Sequence, residues 1–151
     1  IQYRSPQLFS GYWNNPEATE AAFMDGWFRS GDQVTQDEAG YIQVVDRIKD
    51  VINTGGVLVA PREVEDCVYE VDGVAEVAVI GVPDERWIEA ITAVVVLKDG
   101  AQVTEEQVIA HVKENLAGFK VPKAVEFVDE LPRNQSGKLL KRVLRKERSE
   151  A

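Results

Sequence analysis

Two apolar, β-branched runs constrain this chain more than anything else in it: residues 75–82 read AEVAVIGV and residues 91–97 read ITAVVVL. Runs this short and this rich in valine fit strands buried on both faces better than helices. A loop through Pro83 and Asp84 separates them, Asp99-Gly100 stops the second, and the two are expected to pair. On either side the apolar period becomes helical. Pro61 opens a helix whose Val64, Cys67, Val68 and Val71 form one stripe, closed by Asp72-Gly73. Thr104 and Gln107 form a capping box for a helix carrying Val108, Ile109, Val112 and Leu116, ended by Gly118. A third strand over 124–128 and a basic amphipathic tail follow. The order helix, strand, strand, helix, strand, helix predicts an α+β module of about 100 residues with a three-stranded core sheet.

Upstream the pattern differs. Asn15 and Pro16 supply a cap and first residue for a short helix, PEATEAAF, which the turn residues Asp25 and Gly26 end. Residues 33–45 read as a β-hairpin around the turn DEAG, with Tyr41, Ile42, Val44 and Val45 on its far side. The charged stretch 46–50 then interrupts the apolar pattern as a linker or hinge, placing a domain boundary between 1–46 and 47–151. After it, Val51, Ile52 and Gly55-Gly56 lead into the helix at Pro61. The chain shows no internal repeat or low-complexity tract.

With 151 residues and 44% hydrophobic content, the chain can bury the core of one ordinary domain and carry a remnant of another. No apolar run approaches the roughly 20 residues that span a bilayer. The opening IQYRSPQLFSGYW has no initiator methionine, basic n-region or apolar h-region, so the chain is expected to begin inside a longer protein. The single cysteine, Cys67, falls on a core stripe and cannot make an internal disulfide. Net charge is −9, yet six cations from Lys138 to Arg148 against Glu147 give the tail +5, leaving −14 elsewhere. An acidic body repels polyanions at long range, so nucleic acid is not an expected partner, and most of the tail's charges are expected to be solvated.

Lys138 is the exception. It lies in ELPRNQSGKLLKR, residues 130–142, where Pro132, Asn134, Ser136 and Gly137 make a turn-rich loop. Leu139, Leu140, Val143 and Leu144 recur at helical spacing, so the lysine is expected where a mobile loop enters a helix. A phosphate-binding P-loop would need glycine where Pro132 stands and a hydroxyl residue where Leu139 stands, which excludes that motif.

Six segments, GYWNNPEAT, GWFRSGD, VDRIKDVINTGG, APREVE, AEVAVIGVPDE and LPRNQSGKLLKR, occur in an order and spacing that resembles the acyl-CoA synthetase family of adenylate-forming enzymes. The resemblance implies that residues 1–46 end a large N-terminal domain that binds ATP and acid. Residues 47–151 would form the small C-terminal lid domain that closes over it. It implies a two-step ligation using ATP, Mg2+ and coenzyme A, in which a carboxylic acid becomes an acyl adenylate and then a thioester. Lys138 matches the family's catalytic lysine, whose cation would stabilise charge spread over phosphoryl and carboxyl oxygens. Asp32 matches an acidic residue on the ribose hydroxyls, and Arg47 an arginine reaching ribose or phosphate. Lys49 matches the hinge between the two steps, and Gly55-Gly56 the turn lining the pantetheine tunnel. Val57 and Leu58 stand where relatives carry polar residues, and Ile88 where they carry glycine.

The resemblance further implies a cytoplasmic enzyme that acts on fatty acids, and a fragment inactive without its own N-terminal domain. Aryl-CoA ligases and other adenylate-forming enzymes carry the same module, so the acid stays open. A second reading treats the chain as a non-catalytic interaction module whose basic helix docks on an acidic partner. Trp87 could stack on an adenine or pack at an interface. His111 sits at no motif and lacks a partner at metal-ligand spacing, so no metal site is expected.

Overall fold

The computed structural model describes residues 1–149 and divides into two compact units, residues 1–49 and residues 50 onward. Glu150 and Ala151, with which the expected second domain ends, lie outside the described residues.

The first unit runs β1 (Gln2–Tyr3), α1 (Pro16–Ala22), β2 (Phe23–Met24), β3 (Trp27–Arg29), β4 (Asp32–Gln36) and β5 (Ile42–Arg47). Asn15 caps α1 through its side chain, which accepts from the Ala18 N–H at 3.0 Å. The expected hairpin is β4–β5. The helix stops at Ala22, earlier than its sequence suggested, because the turn Asp25-Gly26 instead joins β2 to β3 in a small sheet ordered β1-β3-β2. Phe9, Tyr12, Phe23 and Phe28 form its apolar cluster, with ring centroids 5.0–5.6 Å apart along Tyr12–Phe9, Phe9–Phe23 and Phe23–Phe28. No residue of this unit is fully buried.

The second unit begins in the 3-10 turn Ile48–Asp50 and continues through β6 (Ile52–Thr54), β7 (Val57–Val59), α2 (Pro61–Tyr69), β8 (Val74–Asp84) and β9 (Ile88–Leu97). It ends with α3 (Glu105–Asn115), β10 (Ala124–Phe127) and α4 (Lys141–Ser149). The central sheet has five strands, not the three read from the sequence. The two missed strands, β6 and β7, are three residues each around Gly55-Gly56, too short for a period to show. β8 pairs antiparallel with β9 over nearly their full length, and β10 runs parallel beside β9. Pro83 and Asp84 belong to β8 and not to a loop; proline is tolerated because β8 pairs only with β9 and is an edge.

Alternation along β8 and β9 splits the core in two. Val79, Ile91, Ala93 and Val95 face α2 and α3, whose Val64, Val68, Val108 and Val112 are fully buried against them. Ala78, Ile80 and Val94 face the other way, onto Leu131 and Leu144. Each fully buried valine or isoleucine contributes about 1.5–3 kcal/mol. The capping box Thr104–Gln107 forms as expected. Helix α2 ends at Tyr69, so Val71 and Asp72-Gly73 lie in the turn that follows.

Carboxylates close the sheet's open edges. Glu65 of α2 accepts from the Val79 N–H at 2.8 Å, and Glu105 of α3 from the Val125 N–H at 2.9 Å. The tail helix departs from expectation: its basic residues are not simply solvated. Lys141, Arg145 and Arg148 fall on one face at i, i+4 and i+7 and pair with Glu65, Asp50 and Glu126 at 2.7, 2.8 and 2.6 Å. The charges of α4 therefore hold it to the sheet and to the start of the unit.

Candidate functional site

Lys138 sits on a cross-braced loop, and the helix begins only at Lys141. Leu139 pairs instead with Arg133 in an isolated antiparallel bridge, and the Leu140 N–H donates to the Pro132 carbonyl at 2.8 Å. Asn134 organises the tip. Its Oδ1 accepts from the Ser136 N–H, the Ser136 hydroxyl and the Lys138 N–H at 3.1, 2.8 and 2.8 Å. Its own N–H donates to the Lys138 carbonyl at 3.0 Å. Gly137 takes φ +80°, which side chains disfavour, to complete the turn. Arg133 donates to the Gly137 carbonyl at 2.8 Å and pairs with Glu76 of β8. The loop is thus fastened to the sheet at Glu76. The Lys138 side chain is exposed, and among the described residues its ammonium has no ion-pair partner.

In the first unit, the register of β4 and β5 sets Asp32 opposite Arg47. Arg47 Nη1 lies 3.1 Å from Asp32 Oδ1 and donates to the Ser30 carbonyl at 3.0 Å. Asp32 is three-quarters buried at its side chain, and Arg47 half-exposed. The pair is locally buttressed, since the Ile48 N–H donates to the Gly31 carbonyl at 2.8 Å. Arg47, Lys49 and Arg29 line one recess with Ser30 and Gly31. Three cations around one concavity suit an anionic ligand. Arg29 was missed in the sequence, where nothing but its place as the first residue of RSGD marks it.

Gly55 and Gly56 are the two central residues of the β6–β7 hairpin, with φ +61° and +86°, the pattern of a type I′ turn. Gly55 is doubly constrained. Its N–H donates to the Trp87 carbonyl at 2.6 Å, and a Cβ would meet the Trp87 ring at 3.4 Å. The Lys123 ammonium and the Arg86 guanidinium lie 4.6 and 5.0 Å from the Trp87 ring centre. Trp87 therefore packs on the turn and gathers cations beside it. Thr54 Oγ1, just before the turn, is buried without a hydrogen-bond partner among the described residues. Ile88 has φ +69°, a conformation costly for a β-branched residue, and Val57, Leu58 and Ile88 are all exposed.

Within the second unit, the lysine loop and the glycine turn are held apart. The loop is tied to β8 at Glu76, while the turn is tied to Trp87, just past the end of β8 at Asp84. Those strand positions are eight residues apart, roughly 26 Å at 3.3 Å per residue. His111 Nε2 lies 3.7 Å from Glu70 and shares no cluster. Burial, with the nearby Glu70 and Glu63 carboxylates, pushes the Cys67 thiol above its usual range. Among the described residues no group of three His, Cys, Asp or Glu could hold a metal ion, and no helix is long and apolar enough to cross a membrane.

Residues 63–138 match the model of the AMP-binding enzyme C-terminal domain. The chain is 50% identical over 146 residues to a feruloyl-CoA synthase of Amycolatopsis sp, covering 97% of this chain and 30% of that protein. It is 48% identical over 149 residues to the long-chain-fatty-acid–CoA ligase FadD13 of Mycobacterium tuberculosis, covering 99% of this chain and 29% of that protein. Among solved structures, ATP-bound MatB from Rhodopseudomonas palustris matches with TM-score 0.90 and 46% identity, covering 97% of this chain and 29% of that one. The apo form of MatB matches over the same shares at 0.71. The chain spans about 30% of the length of the curated relatives it matches. It belongs to the AMP-binding enzyme C-terminal domain family.

Proposed function

We propose that this chain is the lid-bearing part of an ATP-dependent acid–CoA ligase, with a domain boundary near residue 46 and the rest of the active site on its own N-terminal domain. In the first step a carboxylate oxygen attacks the α-phosphorus of ATP, the bond to pyrophosphate breaks, and an acyl adenylate forms. In the second the coenzyme A thiolate attacks the acyl carbon, AMP departs, and the thiol's proton passes to solvent. Lys138 serves the first step, its unpaired ammonium stabilising negative charge spread over carboxyl, phosphoryl and leaving oxygens. Asp32 has a second carboxylate oxygen beyond the one Arg47 takes, and accepts from ribose hydroxyls. Arg47 turns towards the nucleotide, and magnesium would come with ATP.

The single observation that carries this reading is that the lysine loop is fastened near the start of β8, at Glu76, and the glycine turn past its end, at Trp87. On this reading each end of β8 serves the reacting centre in its own step. A lid serving two steps from two ends must turn between them, which gives Lys49 its work as hinge. In the second step Gly55-Gly56 lets the pantetheine arm pass, while Trp87 with Lys123 and Arg86 suits an adenine carrying phosphates.

The acid is a fatty acid or an aryl acid, the two classes named by the relatives above, and the enzyme works in the cytoplasm. The test is to mix the 151-residue chain with the N-terminal part of its ligase and measure acid-dependent ATP–pyrophosphate exchange. Exchange by the mixture, and by neither part alone, is the expected result. No exchange, with retained binding of some other acidic protein through α4, would favour the interaction-module reading.

A further inference from the structure

The boundary between the two compact units falls between Lys49 and Asp50. Asp50 is the first residue of the second unit, and its carboxylate is 15% exposed. It is met by Arg145 Nη2 at 2.8 Å, from the middle of α4, the helix that follows the lysine loop. Two residues on, Ile52 is 1% exposed and locked in the core. The segment between the boundary and the sheet is thus Asp50 and Val51 alone, and Arg145 tethers it through its side chain.

We propose that Arg145 is a positioning residue for the hinge: by holding Asp50 to α4 it confines torsional change to Lys49. The proposal rests on the reading of Lys49 as the hinge of a two-step ligase. A carboxylate this buried and stripped of its cation is driven back to water, because burial penalises the unpaired charge. Reaching water requires the backbone at Asp50 to leave its 3-10 turn, and the compliant stretch then grows from one residue to three. A longer compliant stretch spreads the lid over more orientations, and each productive one becomes a smaller share of the population. The loss falls on both half-reactions together. Loss of Lys138 falls on the first alone.

Backbone 15N relaxation on the 151-residue chain tests the physical part without any reaction. In the unsubstituted chain, Asp50 and Val51 are expected near the rigid order parameter of about 0.85; in Arg145→Ala they fall below about 0.6, while Ala93 and Val94 stay rigid. Arg145→Lys, which keeps the charge, restores most of the order. Should Arg145→Ala not fold, Asp50→Asn removes the same pair from the other side and must loosen the same two residues. Unchanged order at Asp50 and Val51 in whichever variant folds overturns the proposal. In the complete ligase, Arg145→Ala is expected to slow adenylation and thioester formation together, each roughly 3- to 10-fold through the reduced productive population. Loss confined to one step also overturns it. If Lys138→Ala leaves adenylation intact, the ligase reading fails, while the relaxation result still reports on the tether separately.

Discussion

Asn134 shows how much of the loop bearing Lys138 rests on one side-chain amide. One carboxamide oxygen accepts three hydrogen bonds, including that of the Lys138 N–H. Asn134→Ala removes all three without touching the ammonium. Adenylation should fall about 10-fold through misplacement of the lysine, with Asn134→Asp retaining most of the rate because it keeps the acceptor. Steady-state exchange assays on the three proteins check this. Ile88 makes the opposite case. Its φ of +69° costs a side-chain-bearing residue about 1–2 kcal/mol, and it is 57% exposed, so little packing compensates. Ile88→Gly should therefore stabilise the second unit by up to about 1 kcal/mol after glycine's own entropy cost, read from the urea midpoint. Departure from the family's glycine was visible in the sequence; the strained backbone behind it was not, because a dihedral leaves no mark in composition.

At the scale of elements, legibility followed length. β8, β9, α2 and α3 could be read because each carries a core stripe long enough to show its period, and Thr104-Gln107 announces its cap in plain spelling. β6 and β7 could not, since three residues on either side of two glycines read as a turn. The tail was misread for another reason. A basic helix spells the same whether its partners are water or carboxylates, and here the partners lie 22 to 95 positions away, from Arg148 and Glu126 to Arg145 and Asp50. Glu65 illustrates the consequence. At 15% exposure it both caps the β8 edge and pairs with Lys141, joining three elements. Glu65→Ala should cost about 2–4 kcal/mol by leaving a buried cation and a buried N–H unpaired, and Glu65→Gln less. Thermal unfolding of the two variants, compared with the parent, checks the order.

For the whole molecule, the two units differ in kind. Every fully buried residue among those described lies in the second unit, whereas the first holds only its partly exposed aromatic cluster. Stability should divide accordingly. Limited trypsin treatment should cut within residues 1–49 first and leave a resistant fragment beginning near residue 50, and equal protection of both units would contradict this. Of the candidate site, the sequence displayed its residue types and order through resemblance. It could not display their distribution: Asp32 and Arg47 meet across one hairpin, while Lys138 and Gly55-Gly56 are fastened to opposite ends of one sheet. On the proposed reading, that distribution asks the lid to turn between the two steps. The most direct test follows the two half-reactions separately in the complete ligase carrying Lys138→Ala. The expected result is acyl-adenylate formation slowed by roughly 10²- to 10³-fold, with thioester formation from supplied acyl adenylate and coenzyme A unchanged; adenylation at the parent rate would contradict the account.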